Sequence, residues 1–143
     1  MGPDDARGGD QHRHGPRVRL LLDSTFVIDL LDGVPEAVQR QRAIFETGDE
    51  PLVNDVVVCE VRAGLFSKDV GALVGVLEPV EFIQPGPETA LRAGEWRRQA
   101  HERGRHLSLP DALIAAAAEA VGAAVLTRNV RDFVLTPVRV ETY

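Results

Sequence analysis

Four acidic side chains occupy places in this sequence where solvation alone explains them poorly. Asp23 closes the apolar run VRLLL, Glu60 lies inside VVVCEVRAGLF, Asp111 follows Ser108-Leu109-Pro110, and Asp132 closes TRNVRD. Three of the four fall at expected strand exits or helix starts, and open α/β sheets place their ligands outside the carboxyl ends of their strands. Glu60 instead shares a helical face with Val57, Val61 and Gly64 at spacings of three and four, which turns its carboxylate toward the interior. Carboxylates gathered without bases repel one another, raising their pKa values and destabilising the fold, unless a divalent cation neutralises them. An all-oxygen donor set selects Mg²⁺ or Mn²⁺ over zinc. Such a site can bind a phosphate oxygen, activate a water and stabilise a leaving oxygen with no protein nucleophile.

Each acid also has a plain structural role open to it. Asp23 can cap the helix that follows it, since aspartate satisfies free backbone N–H groups there. Glu60 can pair with Arg62 or Arg40. Asp111 fits the capping box opened by Ser108, although the positive end of that helix would also help to keep it ionised, so capping and metal binding are compatible. Asn129 and Asp132 sit in a loop leaving a strand, where either can serve as a turn former.

To converge, these residues need a framework of alternating strands and helices. Val18–Leu22 reads as a short strand, and STFVIDLLDG as a helix through Phe26, Ile28, Leu30 and Leu31 that stops at Gly33. A helix from Pro35 to about Thr47 follows, then a strand at Pro51–Asn54 and a helix through VVVCEVRAGLF. Next come a short helix at Val70–Leu77, a strand at Val80–Ile83, and a long helix from Pro87 to about Arg103, opened by proline and closed by Gly104. An alanine-rich helix from Leu109 to Val121, a strand AAVLT and a last strand near Val138–Val140 complete the order. Alternation of this kind predicts a mostly parallel sheet covered on both faces.

The 143 residues suffice for one domain with a real core, spanning residues 17–143. Residues 1–16 are almost free of apolar side chains and read as a disordered tail, whose His12 and His14 are expected to be solvated. No apolar run approaches the roughly 18 to 20 residues that cross a bilayer, so a cytoplasmic protein is expected. The single cysteine, Cys59, can make no internal disulfide and is expected to be a small core residue. A net charge of -6 argues against binding nucleic acid through a uniformly basic surface, so contact with phosphate must be local. One candidate is GEWRRQAHERGR, where helical spacing puts Arg98, His101 and Arg105 on one face, and Arg98 and Arg105 would hold phosphates. The alternative is a solvated face paired with Glu95 and Glu102.

Taken together, LLLDSTFVIDLL, VVVCEVRAGL, LSLPDALIAAAA and VLTRNVRDF resemble, in order and separation, the four signature segments of PIN domains, and specifically of the VapC toxins. The resemblance covers about Val18 to Tyr143. It implies a three-layer α/β/α sandwich, Mg²⁺ held chiefly by Asp23 and Asp111, and Glu60 and Asp132 completing an acidic pocket that hydrolyses RNA. Thr25 and Thr127 match supporting hydroxyl positions. Asn129 stands where some relatives carry a carboxylate, which divides the fourth acidic role between Asn129 and Asp132. The family further implies a VapB-type antitoxin covering the pocket, and a homodimer.

Other classes fit less well. A phosphoaspartyl phosphatase wants an aspartate two residues after the first, where Thr25 stands, and a receiver domain wants a late lysine, whereas the only lysine is Lys68. A catalytically weak PIN domain acting as an RNA- or protein-binding module would be expected to have lost acids, and all four are present.

Overall fold

The computed structural model describes residues 17–65 and 69–143. The expected tail with His12 and His14, and Lys68, lie outside them. The chain runs β1 (Arg19–Leu22), α1 (Ser24–Leu31), α2 (Pro35–Thr47), β2 (Glu50–Val53), α3 (Asp55–Ala63), α4 (Val70–Leu77), β3 (Glu81–Phe82), α5 (Pro87–Glu102), α6 (Leu109–Ala120), β4 (Ala124–Leu126) and β5 (Val140–Glu141). The strands form one sheet in the order β3-β2-β1-β4-β5, with every pairing parallel. With six flanking helices this is the expected three-layer α/β/α arrangement. No helix among the described residues is long and apolar enough to cross a membrane.

The apolar runs become the centre of the sheet. Leu20, Leu21 and Leu22 of β1 and all of β4 are buried, because both faces of a parallel sheet carry helices. α6 contributes Ala112, Ile114 and Ala115–Ala118 to the same core. Small side chains let it lie close against α5, which presents Ala93, Trp96 and Ala100.

The strand order decides where a site can form. From central β1 the chain winds outward through β2 and β3, then returns to place β4 on the other side of β1. The carboxyl ends of β1 and β4 therefore flank a topological switch point, the crevice where doubly wound sheets bind ligands. Asp23 follows β1 and Thr127 follows β4, and the two strands are joined there by Asp23 N–H donating to the Leu126 carbonyl at 2.9 Å.

Local chemistry moved several boundaries from those expected. α3 begins at Asp55, ahead of the valine run, because the Asn54 side chain accepts from Val57 N–H at 3.1 Å and caps the helix. β4 stops at Leu126 rather than Thr127, and the stretch expected to be a loop holds a 3-10 turn at Val130–Phe133 that buries Phe133. α5 ends at Glu102, with Gly104 left-handed at φ 70°. Arg105 thus lies beyond the helix, and the expected face of Arg98, His101 and Arg105 is not continuous.

Cys59, expected in the core, is exposed. At about 100° per residue, Val57 and Val61 fix the buried direction of α3, which leaves Cys59 about 180° from it and Glu60 at the rim. Nor does either arginine considered for Glu60 pair with it. Arg40 bonds Glu141 at 2.9 Å, tying α2 to β5, and Arg62 donates to its own turn at Leu65.

Candidate active site

Asp23 is the anchor. It occupies the N-cap position of α1, yet its side chain makes no capping bond. Its Oδ2 instead accepts from the Thr127 hydroxyl at 2.8 Å and from the Thr25 hydroxyl at 3.1 Å, and the two hydroxyls lie 3.3 Å apart. Thr127 is fully buried and Asp23 is 3% exposed, so the carboxylate is held in a fixed position. Thr127 Oγ1 also accepts from the Asn129 backbone N–H at 2.9 Å, which ties the loop after β4 to the same point. Asn129 supports the site through its backbone, with its side chain on the exposed surface.

Each of the other three acids lies within electrostatic reach of Asp23. Burial pushes the Asp23 carboxyl above the usual range; hydrogen bonds from Thr127, the Ser24 backbone and Thr25 oppose that, and the Asp132 charge adds to it. Burial likewise raises Glu60, opposed by a hydrogen bond from the Ser24 side chain and reinforced by Asp23. Asp111 moves most, from 3.8 to about 6, through burial first and then repulsion from Asp132, Asp23 and Glu60, with a Ser108 hydrogen bond pulling the other way. Asp111 is thus within electrostatic reach of the acids ahead of α1, on α3 and in the 3-10 turn.

Ser108, which caps α6, touches both the backbone and the carboxyl of Asp111. Ser108 Oγ accepts from the Asp111 backbone N–H at 3.1 Å, the first half of the expected capping box.

The ring is loose. Among the described residues no group of three or more acidic, histidine or cysteine side chains is placed to hold a metal ion together. A cation bound here would have to rely on one or two carboxylates with water filling its other positions, which is how Mg²⁺ is commonly held. The donors are oxygen only, which again favours Mg²⁺ or Mn²⁺.

Arg98 is committed locally, pairing with Glu95 at 3.1 Å and with Glu102. Two features had not been picked out from sequence. Ser24 is the hydrogen-bond partner of Glu60. Asp29, 4% exposed, binds Arg128 at 2.5 Å and Tyr143 at 2.6 Å. The spacing that turned attention to Glu60 also marks Asp29, three residues after the buried Phe26.

A buried aspartate at a switch point of a parallel sheet, with three further carboxylates within electrostatic reach, is the arrangement expected of a PIN domain. The sequence matches the PIN domain family over residues 20–136, and the chain belongs to that family. Among known proteins it is 31% identical over 117 residues to ribonuclease VapC19 of Mycobacterium tuberculosis, covering 82% of this chain and 94% of that protein. It is also 23% identical to ribonuclease VapC1 of Haemophilus influenzae, covering 79% and 88% of the two chains. The fold superposes on a chain of the crystal structure of VapBC2 from Rickettsia felis bound to a promoter DNA fragment, with a TM-score of 0.75 at 18% identity, covering 87% of this chain and 98% of that one.

Proposed function

We propose that this chain is the toxin of a VapBC-type toxin–antitoxin pair, a Mg²⁺- or Mn²⁺-dependent endoribonuclease acting through its four-carboxylate ring. The observation that carries this reading is Asp23, buried and fixed by two threonine hydroxyls with three other acids within electrostatic reach. The ribonuclease names of its sequence relatives support the substrate class. Asp23 and Asp111 would hold the cation, with Asp132 and Glu60 completing the ring. When bound, the cation would polarise the phosphodiester and make water acidic enough to attack near neutral pH.

The residues have separable tasks. Thr127 and Thr25 keep Asp23 oriented, and in a donor site such supports hold the ligand in place. Glu60 is half-buried with its pKa raised, which suits it to accept a proton from the attacking water, while the Ser24 hydroxyl steadies it. An antitoxin segment laid over the ring would hold the toxin inactive. Exposed Phe45 on α2 and Val74 on α4 are the kind of apolar surface such a segment would cover. A homodimer and a cytoplasmic location belong to the same reading.

The test is cleavage of labelled single-stranded RNA in EDTA, Mg²⁺ and Mn²⁺. Cleavage should require the metal and fall on the order of 100-fold or more in Asp23→Asn. Equal cleavage in EDTA, or by Asp23→Asn, would overturn the reading. Cleavage of single-stranded DNA alone would keep the metal chemistry but replace the substrate.

A further inference from the structure

A side-chain network runs from the acidic ring to Tyr143, the last residue of the sequence. Asp29 uses both carboxylate oxygens in it: Oδ1 accepts from Arg128 Nη1 at 2.5 Å and Oδ2 from the Tyr143 hydroxyl at 2.6 Å. The Tyr143 ring stands edge-on to Phe26, with centroids 5.0 Å apart at 78°. The same hydroxyl lies beside Thr25, which contacts Asp23. The Arg128 backbone N–H donates to Thr25 Oγ1 at 3.3 Å. Arg128 is thus tied to the ring at its backbone and to Asp29 at its head group.

That head group is not buried with its partner. The Arg128 side chain is 54% exposed whereas that of Asp29 is 6% exposed. Arg128 also borders an open groove shared with Asn129, Val130, Arg131, Asp132 and Val134, so a cation and one of the ring carboxylates line the same surface. A guanidinium has five N–H donors in a rigid fork, and Asp29 engages a single nitrogen, Nη1. A polyanion approaching four carboxylates on a protein of net charge -6 needs a cationic contact beside them.

We propose that Arg128, braced by Asp29 and Tyr143, is the positioning residue that holds an RNA phosphate at the rim of the acidic ring. This rests on the ribonuclease reading and names the contact that reading lacked. Bracing matters because an arginine already fixed in one orientation loses less freedom when it binds phosphate. Asp29 restrains the head group, and Tyr143, locked by its packing on Phe26, restrains Asp29.

The experiment compares steady-state cleavage of single-stranded RNA in Mn²⁺, over a range of salt, by the wild-type chain, Arg128→Gln, Arg128→Lys and Tyr143→Phe. Thermal melting reports folding. Arg128→Gln should raise KM about tenfold with kcat within about twofold, and reduce the slope of log affinity against log salt by about one. Arg128→Lys should restore the slope but only part of the affinity, since a point charge lacks the fork. Tyr143→Phe keeps the ring packing and should raise KM while leaving the salt slope intact. If Arg128→Gln is too unstable to assay, the other two variants decide. Wild-type KM and salt slope in the folded Arg128 variants, or a loss confined to kcat, would overturn the proposal while leaving the ribonuclease reading standing. Absence of cleavage by the wild-type chain would overturn both.

Discussion

Asp111 is the residue at which local chemistry and function pull hardest against each other. Its pKa, raised from 3.8 to about 6, means that the folded protein holds this proton more tightly than the unfolded chain does. Without metal, its contribution to stability is therefore favourable at low pH and is lost as pH rises through that window. Replacing it with a neutral isostere should relieve the strain. In EDTA at about pH 8, Asp111→Asn should gain roughly 1–2 kcal/mol, discounted for solvent screening, and the gain should fade toward about pH 4. Urea denaturation at the two pH values checks this. A loss of about 2 kcal/mol would instead mean that the carboxylate itself caps the helix. All four acids were legible from type and position, but their partners were not. The spacing that pointed Glu60 inward placed it only to within a helix quadrant, and at the rim its partner is Ser24, one residue after Asp23, rather than an arginine. Cys59 was misplaced although the same spacing, once Val57 and Val61 define the buried side of α3, sets it about 180° away.

At the scale of elements, α6 does two things at once: its alanine face packs the core, and its first turn delivers Asp111. Ser108 controls the second. Ser108→Ala removes the bond to the Asp111 amide and should cost about 1 kcal/mol. Because the loosened turn carries Asp111, a proposed ligand, Mn²⁺ affinity should fall as well, whereas Ser108→Asp, another good cap, should preserve the helix start. Urea midpoints and Mn²⁺ titration of the two variants check this, and equal metal affinity in Ser108→Ala would show that the cap does not position the acid. Helices with a capping residue, a proline or a terminal glycine were readable within a residue or two, as α2 and α5 show between Pro35 and Gly48 and between Pro87 and Gly104. The strands were harder. β3 and β5 are two residues long, too short for any alternation to register, and their limits are set by pairing with β2 and β4 rather than by their own side chains.

For the whole molecule, alternation foretold a parallel sheet but not its order, since winding outward from β1 and then returning beside it is a matter of how helices cover two faces. That order is what creates the switch point and sets Thr127 against Asp23 across 104 residues of sequence. The net charge of -6 fits the proposed function, in which attraction for RNA would be concentrated in a few arginines and the acids would serve the cation. The measurement closest to the central claim is the thermal shift produced by Mn²⁺ in the wild-type chain and in Asp23→Asn/Asp111→Asn. At about a hundred times its Kd, a cation bound only by the folded state stabilises it by roughly 2.7 kcal/mol. A divalent site at the ring predicts a saturable rise in Tm for the wild type and none for the double variant. An equal rise in both, or no rise in the wild type at saturating Mn²⁺, would contradict it.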